Sequence, residues 1–320
     1  MSGVFPKESG CGVGDEKELS HISPKILWDS FFFFKYQGLG NDFVLIDRRS
    51  SDVDGDELPT NPGAWAERLC NRRLGVGADG VLFLLSANAG GVASMRIFNA
   101  DGSEAEMCGN GLRCVAKHLM DFDNLKGKFI VDTGGGPRSC EVDGVVGRRI
   151  SHVKVDMGRP EMLRSKIPML GEGECVAESG LFDGVDPELC FTAVSMGNPH
   201  LVCFLSSDKT GSVKRWAGDL GPVLEVDGHF PNRANISFVK DADEGVWEAA
   251  VWERGVGLTD ACGTGACAIG TAACKEGKAE VGEVQKVSLP GGVLNITVEK
   301  GYSGVTMEGP AEIVFRGIAL

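Results

Sequence analysis

Cys108-Gly109-Asn110-Gly111 and Cys262-Gly263-Thr264-Gly265 are one motif written twice, 154 positions apart. After the first come Leu112, Val115, Ala116, Leu119 and Met120, the i, i+3, i+4, i+7, i+8 spacing of an amphipathic helix. After the second comes Ala266-Cys267-Ala268-Ile269-Gly270-Thr271-Ala272-Ala273-Cys274, small or apolar on every side, with Gly277 as its stop. A helix apolar all round is a buried one. Ahead of each motif lies a short strand-like run, Met95 to Phe98 and Val251-Trp252. A polar residue, Asn99 or Glu253, closes each run. Two further landmarks recur in order. Gly40-Asn41-Asp42 resembles Gly197-Asn198-Pro199 at an offset of 157, and Met157-Gly158-Arg159-Pro160 resembles Glu308-Gly309-Pro310 at 151. An ordered set of matches at near-constant spacing is the mark of an internal repeat. The chain reads as two homologous halves, each placing a cysteine at the N-terminus of a central helix.

Outward from these motifs, Asn61 with Pro62 predicts a helix N-terminus that carries Trp65, Leu69 and Cys70 inward. Short β-branched or aromatic runs predict strands at 43–47, 129–132, 153–157, 191–195, 201–204, 236–240, 287–289, 294–299 and 313–315. Residues 161–190 and 206–233 read as long irregular loops. Many strands around few helices give an α+β fold, not an alternating parallel one. Residues 1–30, rich in Gly and acids and without periodicity, read as a loosely ordered extension. They lack the features of a secretory signal or an organelle transit peptide.

Lysine and arginine total 32 against 45 acids, a net charge of −13, in a chain of 320 residues with near-zero mean hydropathy. That balance disfavours a nucleic-acid binder, whose affinity needs clustered cations. No apolar run approaches the roughly 20 residues of a membrane helix. Eleven scattered cysteines, with no Cys-x-x-Cys pair, predict buried small residues in a reducing compartment and no metal site. Cytoplasm is the default location; plastid stroma applies if the source is photosynthetic. Cys114 and Cys267, inside the two helices, read as core residues.

Cys108 and Cys262 are different. A thiol at a helix N-terminus feels the positive end of the macrodipole and unpaired N–H groups, and both favour thiolate. Bare glycine amides beside it admit a carboxylate. Two such sites on facing halves suit a proton removed α to a carboxylate by one sulfur and returned to the other face by its partner. Fixed N–H groups would hold the charge that moves onto the carboxylate, so no electron-sink cofactor is expected.

The motifs together resemble the diaminopimelate epimerases. The resemblance runs from Tyr36 to the C-terminus through Gly38-Leu39-Gly40-Asn41-Asp42-Phe43, Gly75-Val76-Gly77-Ala78-Asp79-Gly80, Arg96 to Ser103, Met107 to Gly111, Met196 to His200, Trp252-Glu253-Arg254-Gly255 and Ala261 to Gly265. It implies a diaminopimelate epimerase-like fold: two pseudo-symmetric lobes, each a strongly curved mixed or antiparallel sheet wrapped around a central helix. The implied lobes are 31–152 with 308–320, and 153–307, in a homodimer. The implied reaction converts LL-2,6-diaminopimelate to meso-diaminopimelate in lysine biosynthesis, without pyridoxal phosphate or metal. Cys108 and Cys262 match the acid/base thiols, with His200 and Glu253 beside them. Gly109, Asn110, Gly263 and Thr264, with Asn41 nearby, match the pocket for the reacting carboxylate. Asn99, Asn198, Asn235, Glu253 and Arg254 match the residues holding the distal amino-acid end. Two other readings compete: a proline or hydroxyproline racemase of the same fold, with only one carboxylate to bind, and a thiol redox or binding protein.

Overall fold

A computed structural model describes residues 30–49, 57–142, 144–242 and 245–319. The extension read at 1–30 lies outside the described residues except for its last position.

The first half runs β1 (Phe31–Gly38), β2 (Asn41–Asp47), α1 (Pro62–Cys70), β3 (Gly80–Leu85), β4 (Ala93–Asn99), β5 (Glu104–Ala105), α2 (Gly109–Asp123), β6 (Gly127–Thr133), β7 (Arg138–Val142) and β8 (Ile150–Asp156). After the short β9 (Glu178–Ser179) the second half repeats that order. It comprises β10 (Cys190–Ser195), β11 (Pro199–Phe204), α3 (Val213–Glu225), β12 (Asn235–Ala242), β13 (Val246–Glu253), β14 (Gly257–Leu258), α4 (Gly263–Lys275), β15 (Val284–Leu289), β16 (Gly292–Val298) and β17 (Val305–Ala319). The pairings repeat too. The parallel pairs β2–β3 and β4–β6 have counterparts in β11–β12 and β13–β15.

The fold is α+β, two pseudo-symmetric lobes of curved sheet around a central helix. In the first lobe the strands close into a barrel, β1-β2-β3-β4-β6-β7-β8-β17 and back to β1. Helix α2 fills it, burying Leu112, Cys114, Val115, Ala116, Leu119 and Met120. In the second lobe the same wrapping surrounds α4, and an isolated bridge from Glu161 to Ser195 draws the two margins together. The small residues of α4 let the sheet come close: a Cβ on Gly270 would stand 2.7 Å from Cγ2 of Ile296. Gly277, at φ 68°, ends the helix in the left-handed conformation that favours glycine. Strand β17 serves both lobes, pairing at its start with β16 and β8 and at its end with β1.

Helices α1 and α3 lie on the outside, each over its own smaller apolar cluster. The N-cap at Asn61 forms as expected, its side chain accepting from the Ala64 N–H at 3.2 Å. Helix α3 overturns the reading of 206–233 as loop. Ser212 caps it by accepting from the Arg215 N–H, and Val213, Ala217 and Leu224 are buried. Gly218, Gly221 and Pro222 hid the pattern, and tertiary burial overrides their poor propensity. The third sequence recurrence is also out of register. Cys140 pairs with Val155 and Asn295 with Glu308, so β8 maps onto β17 at an offset near 154. Gly158 therefore falls after its strand, while Gly309 lies inside one. Among the described residues no helix is long and apolar enough to cross a membrane.

Candidate active site

Cys108 and Cys262 are the N-caps of α2 and α4, both in extended backbone, at φ −140° and −126°. The Gly111 N–H points at the Cys108 sulfur at 3.5 Å, and the Cys262 sulfur lies 3.7 Å from Oγ1 of Thr264. The first turns of the two helices meet. A Cβ on Gly263 would stand 3.2 Å from Oδ1 of Asn110 and 3.2 Å from Sδ of Met307, while one on Gly109 would stand 2.7 Å from Cε of Met307. Met307 of β17 is thus wedged between the helix ends, and a side chain at either glycine would have to displace it. Unpaired first-turn N–H groups from both lobes are brought to one place.

Glu253, at the end of β13, is the group both sulfurs share. It is hydrogen-bonded to Cys262 and is within electrostatic reach of Cys108. Burial raises its own carboxyl above the usual range, opposed by hydrogen bonds from Thr259, at 2.5 Å, and Cys262. The helix termini were expected to draw the thiols down toward neutral pH, and here the structure corrects the sequence reading. Burial pushes both thiols up. The Gly111 and Asn110 amides and Arg113 only partly offset it at Cys108. At Cys262 the Gly265 amide and Thr264 act against burial, and the negative charge of Glu253 adds to it. Desolvation of a thiolate in a closed site outweighs one helix terminus. Cys114 and Cys267 are wholly buried, as expected of core residues, and every cysteine among the described residues is free.

The polar residues form two linked sets. On the first-lobe side, Arg113 donates to Oδ1 of Asn110 at 3.0 Å, Asn110 donates to Oδ1 of Asn41 at 3.0 Å, and Asn41 donates to Asp79 at 2.8 Å. A donor-only guanidinium at one end and an acceptor-only carboxylate at the other fix both amide orientations. On the second-lobe side, Asn198 joins His200, at 3.0 Å, to Oγ1 of Thr264, at 3.4 Å. Asn235 donates to the Pro199 carbonyl and accepts from the Arg254 N–H, both at 2.9 Å. The Arg254 guanidinium is exposed and spends one nitrogen on the Asn232 carbonyl. Asn99, the positional counterpart of Glu253, is exposed and hydrogen-bonds Ser103, with no bond to the other site residues among the described residues. Asp79, Arg113, Asn232, Thr259 and Met307 were not assigned roles from sequence. Asp79 stood inside a quoted glycine-rich motif, but nothing local marks the others. No group of three or more His, Cys, Asp or Glu among the described residues is placed to hold a metal ion.

His200 is wholly buried; its Nε2 faces Asn198 and its Nδ1 has no partner among the described residues, so it reaches Cys262 through Asn198 and Thr264, not directly. Burial, with the Arg254 charge behind it, lowers its pKa to about 3, so the ring is neutral at physiological pH. A folded-state value below the ordinary 6.5 means that the unfolded chain takes up the proton first. The stability is complete at neutral pH and is lost as pH falls from about 6.5 toward about 3. From pH 7 to pH 5 the native chain should lose about 2 kcal/mol more than a His200→Gln variant. Urea unfolding at both pH values measures this; equal slopes in the two proteins would remove the buried neutral histidine as the cause.

The family model described as Diaminopimelate epimerase matches residues 33–163 and 192–314. A diaminopimelate epimerase of Desulforudis audaxviator is 44% identical over 287 residues, covering 89% of this chain and 98% of that protein. The chloroplastic diaminopimelate epimerase of Oryza sativa subsp. japonica is 42% identical over 299 residues, covering 90% of this chain and 80% of that one. Among solved structures, a hydroxyproline epimerase from Agrobacterium vitis superposes with a TM-score of 0.63 at 15% identity, covering 91% of each chain, a likeness of fold. By its matched family model and its relatives over nine-tenths of its length, this chain belongs to the diaminopimelate epimerase family and is an isomerase.

Proposed function

We propose that this chain interconverts LL- and meso-2,6-diaminopimelate in lysine biosynthesis, using two thiols and no pyridoxal phosphate. The observation that carries the reading is the meeting of two cysteine-capped helix N-termini, with Glu253 in reach of both sulfurs. One sulfur, as thiolate, takes the α-proton of the reacting carbon. The electron pair left behind spreads into the adjacent carboxylate, held by first-turn N–H groups around Gly109-Asn110 and Gly263-Thr264. The opposite thiol then delivers its proton to the other face and becomes the thiolate. Configuration inverts, the total of bound protons is unchanged, and a reverse turnover restores the start. Cys262 and Asn110, each 3% exposed, sit in a site largely closed to water, which strengthens every such interaction. The distal end belongs to Arg254, Glu253, Asn235 and Asn198. Arg254 can offer a carboxylate its free guanidinium edge, and Glu253 and amide oxygens can accept from an ammonium.

The test is a chirality-resolved assay in D₂O, with diaminopimelate and proline side by side and no pyridoxal phosphate or metal added. Deuterium should enter one α-carbon of diaminopimelate as its configuration scrambles, and proline should be untouched. Racemised proline, or turnover only with added pyridoxal phosphate, would refute the proposal.

A further inference from the structure

Arg113 lies on α2 in the turn after Cys108 and is wholly buried. Its Nε donates to the Pro310 carbonyl at 3.2 Å, and its Nη1 donates to Oδ1 of Asn110 at 3.0 Å and toward Sδ of Met307 at 3.5 Å. Nη2 has no hydrogen-bond partner among the described residues. The surrounding backbone is cut to fit it: a Cβ on Gly38 would stand 2.9 Å from Nη2, and one on Gly309 would stand 3.4 Å from Nε. No carboxylate pairs with it among the described residues. The contrast on the same helix is Lys117, equally buried, which is paired with Asp121.

A guanidinium does not give up its proton in a protein. An unpaired charge in the interior costs several kcal/mol unless an anion lies in reach. Among the described residues, the ionisable groups whose charge reaches Arg113 are three thiols: Cys114 and Cys108 from α2, and Cys267 from α4. Cys114 and Cys267 sit inside helix bodies, and burial holds both neutral, Cys114 at about 12. Cys108 alone is partly exposed, with a backbone N–H aimed at its sulfur. The other side of the site has the opposite sign. Glu253 of β13 is hydrogen-bonded to Cys262 and only in electrostatic reach of Cys108.

We infer that Arg113 is the buried counter-charge that makes Cys108, not Cys262, the more readily ionised thiol of the pair, so that Cys108 is the first base and Cys262 the first acid. The inference rests on the two-thiol reading above and adds a direction to it. The isomer whose α-hydrogen faces Cys108 meets the sulfur that ionises more readily. The other meets the one that ionises less readily. Arg113 is a positioning residue in this scheme, acting on Cys108 through its field and through Asn110.

The experiment is alkylation of the full chain by iodoacetamide as a function of pH, with modification at Cys108 and Cys262 followed separately by peptide mass spectrometry. Each cysteine is judged by the midpoint of its own profile, so unequal access cancels. The Cys108 midpoint should lie below that of Cys262 in the native protein. In Arg113→Met it should rise by at least about one pH unit while the Cys262 midpoint moves little, and Arg113→Lys should restore most of the shift. A merely structural arginine would change melting temperature and overall reactivity without moving a midpoint. A native Cys108 midpoint equal to or above that of Cys262 overturns the inference even if Arg113→Met does not fold. So does an unmoved midpoint in a folded Arg113→Met. Neither readout uses diaminopimelate, so failure of the epimerase assay and failure of this inference are told apart.

Discussion

Cys108→Ala and Cys262→Ala should each lower diaminopimelate epimerisation by about a hundred- to ten-thousandfold, the usual contribution of one positioned acid or base. The two losses should be alike because inversion needs both transfers. With one sulfur gone, a proton can still leave and return on the surviving face, but it cannot arrive on the other. The variants should therefore keep a partial reaction, with slow deuterium uptake and retained configuration from the isomer that presents its α-hydrogen to the remaining thiol. Folding is not at issue. Cys262 makes no side-chain cap to its helix, and Cys108 gives up one long sulfur contact with the Gly111 N–H. Melting temperatures should fall by a few degrees at most. Full turnover in either variant would end the two-thiol proposal. Loss of exchange from both isomers in both variants would mean that the sulfurs act as one unit, not as opposed bases.

Arg254→Ala should lower kcat/KM for diaminopimelate by about ten- to a hundredfold, the ~1.5–3 kcal/mol of a charge-assisted hydrogen bond, with most of the loss in KM. The guanidinium is exposed at the rim of the site, and its backbone N–H is pinned by Asn235. One nitrogen is committed to the Asn232 carbonyl, which aims the remaining edge. Arg254→Lys should recover little, since an ammonium cannot offer two parallel donors to a carboxylate. Measured initial rates with unchanged kcat/KM in Arg254→Ala would take this residue out of the distal pocket. A loss confined to kcat would place it at the reacting carbon instead.

Much of this molecule could be read locally. The paired Cys-Gly-x-Gly motifs, with Asn99 and Glu253 ahead of them, placed both central helices and their caps because N-capping and helical periodicity are properties of adjacent residues. The halves were visible for the same reason. Where glycine and proline interrupt the pattern, as in α3, local reading failed, and only packing against β12 and β13 makes the segment helical.

By itself the sequence determined that two cysteines would cap two buried helices in a repeated α+β chain. Tertiary structure alone decided how acidic they are and what surrounds them. Burial, a summed effect of the whole sheet, raises both thiols against the pull of their helix ends. Arg113 and Glu253 give the two sides opposite signs only because β17 and β13 carry their neighbours to that spot. Desolvation and charge depend on distances between residues far apart in the chain, and no local pattern encodes those.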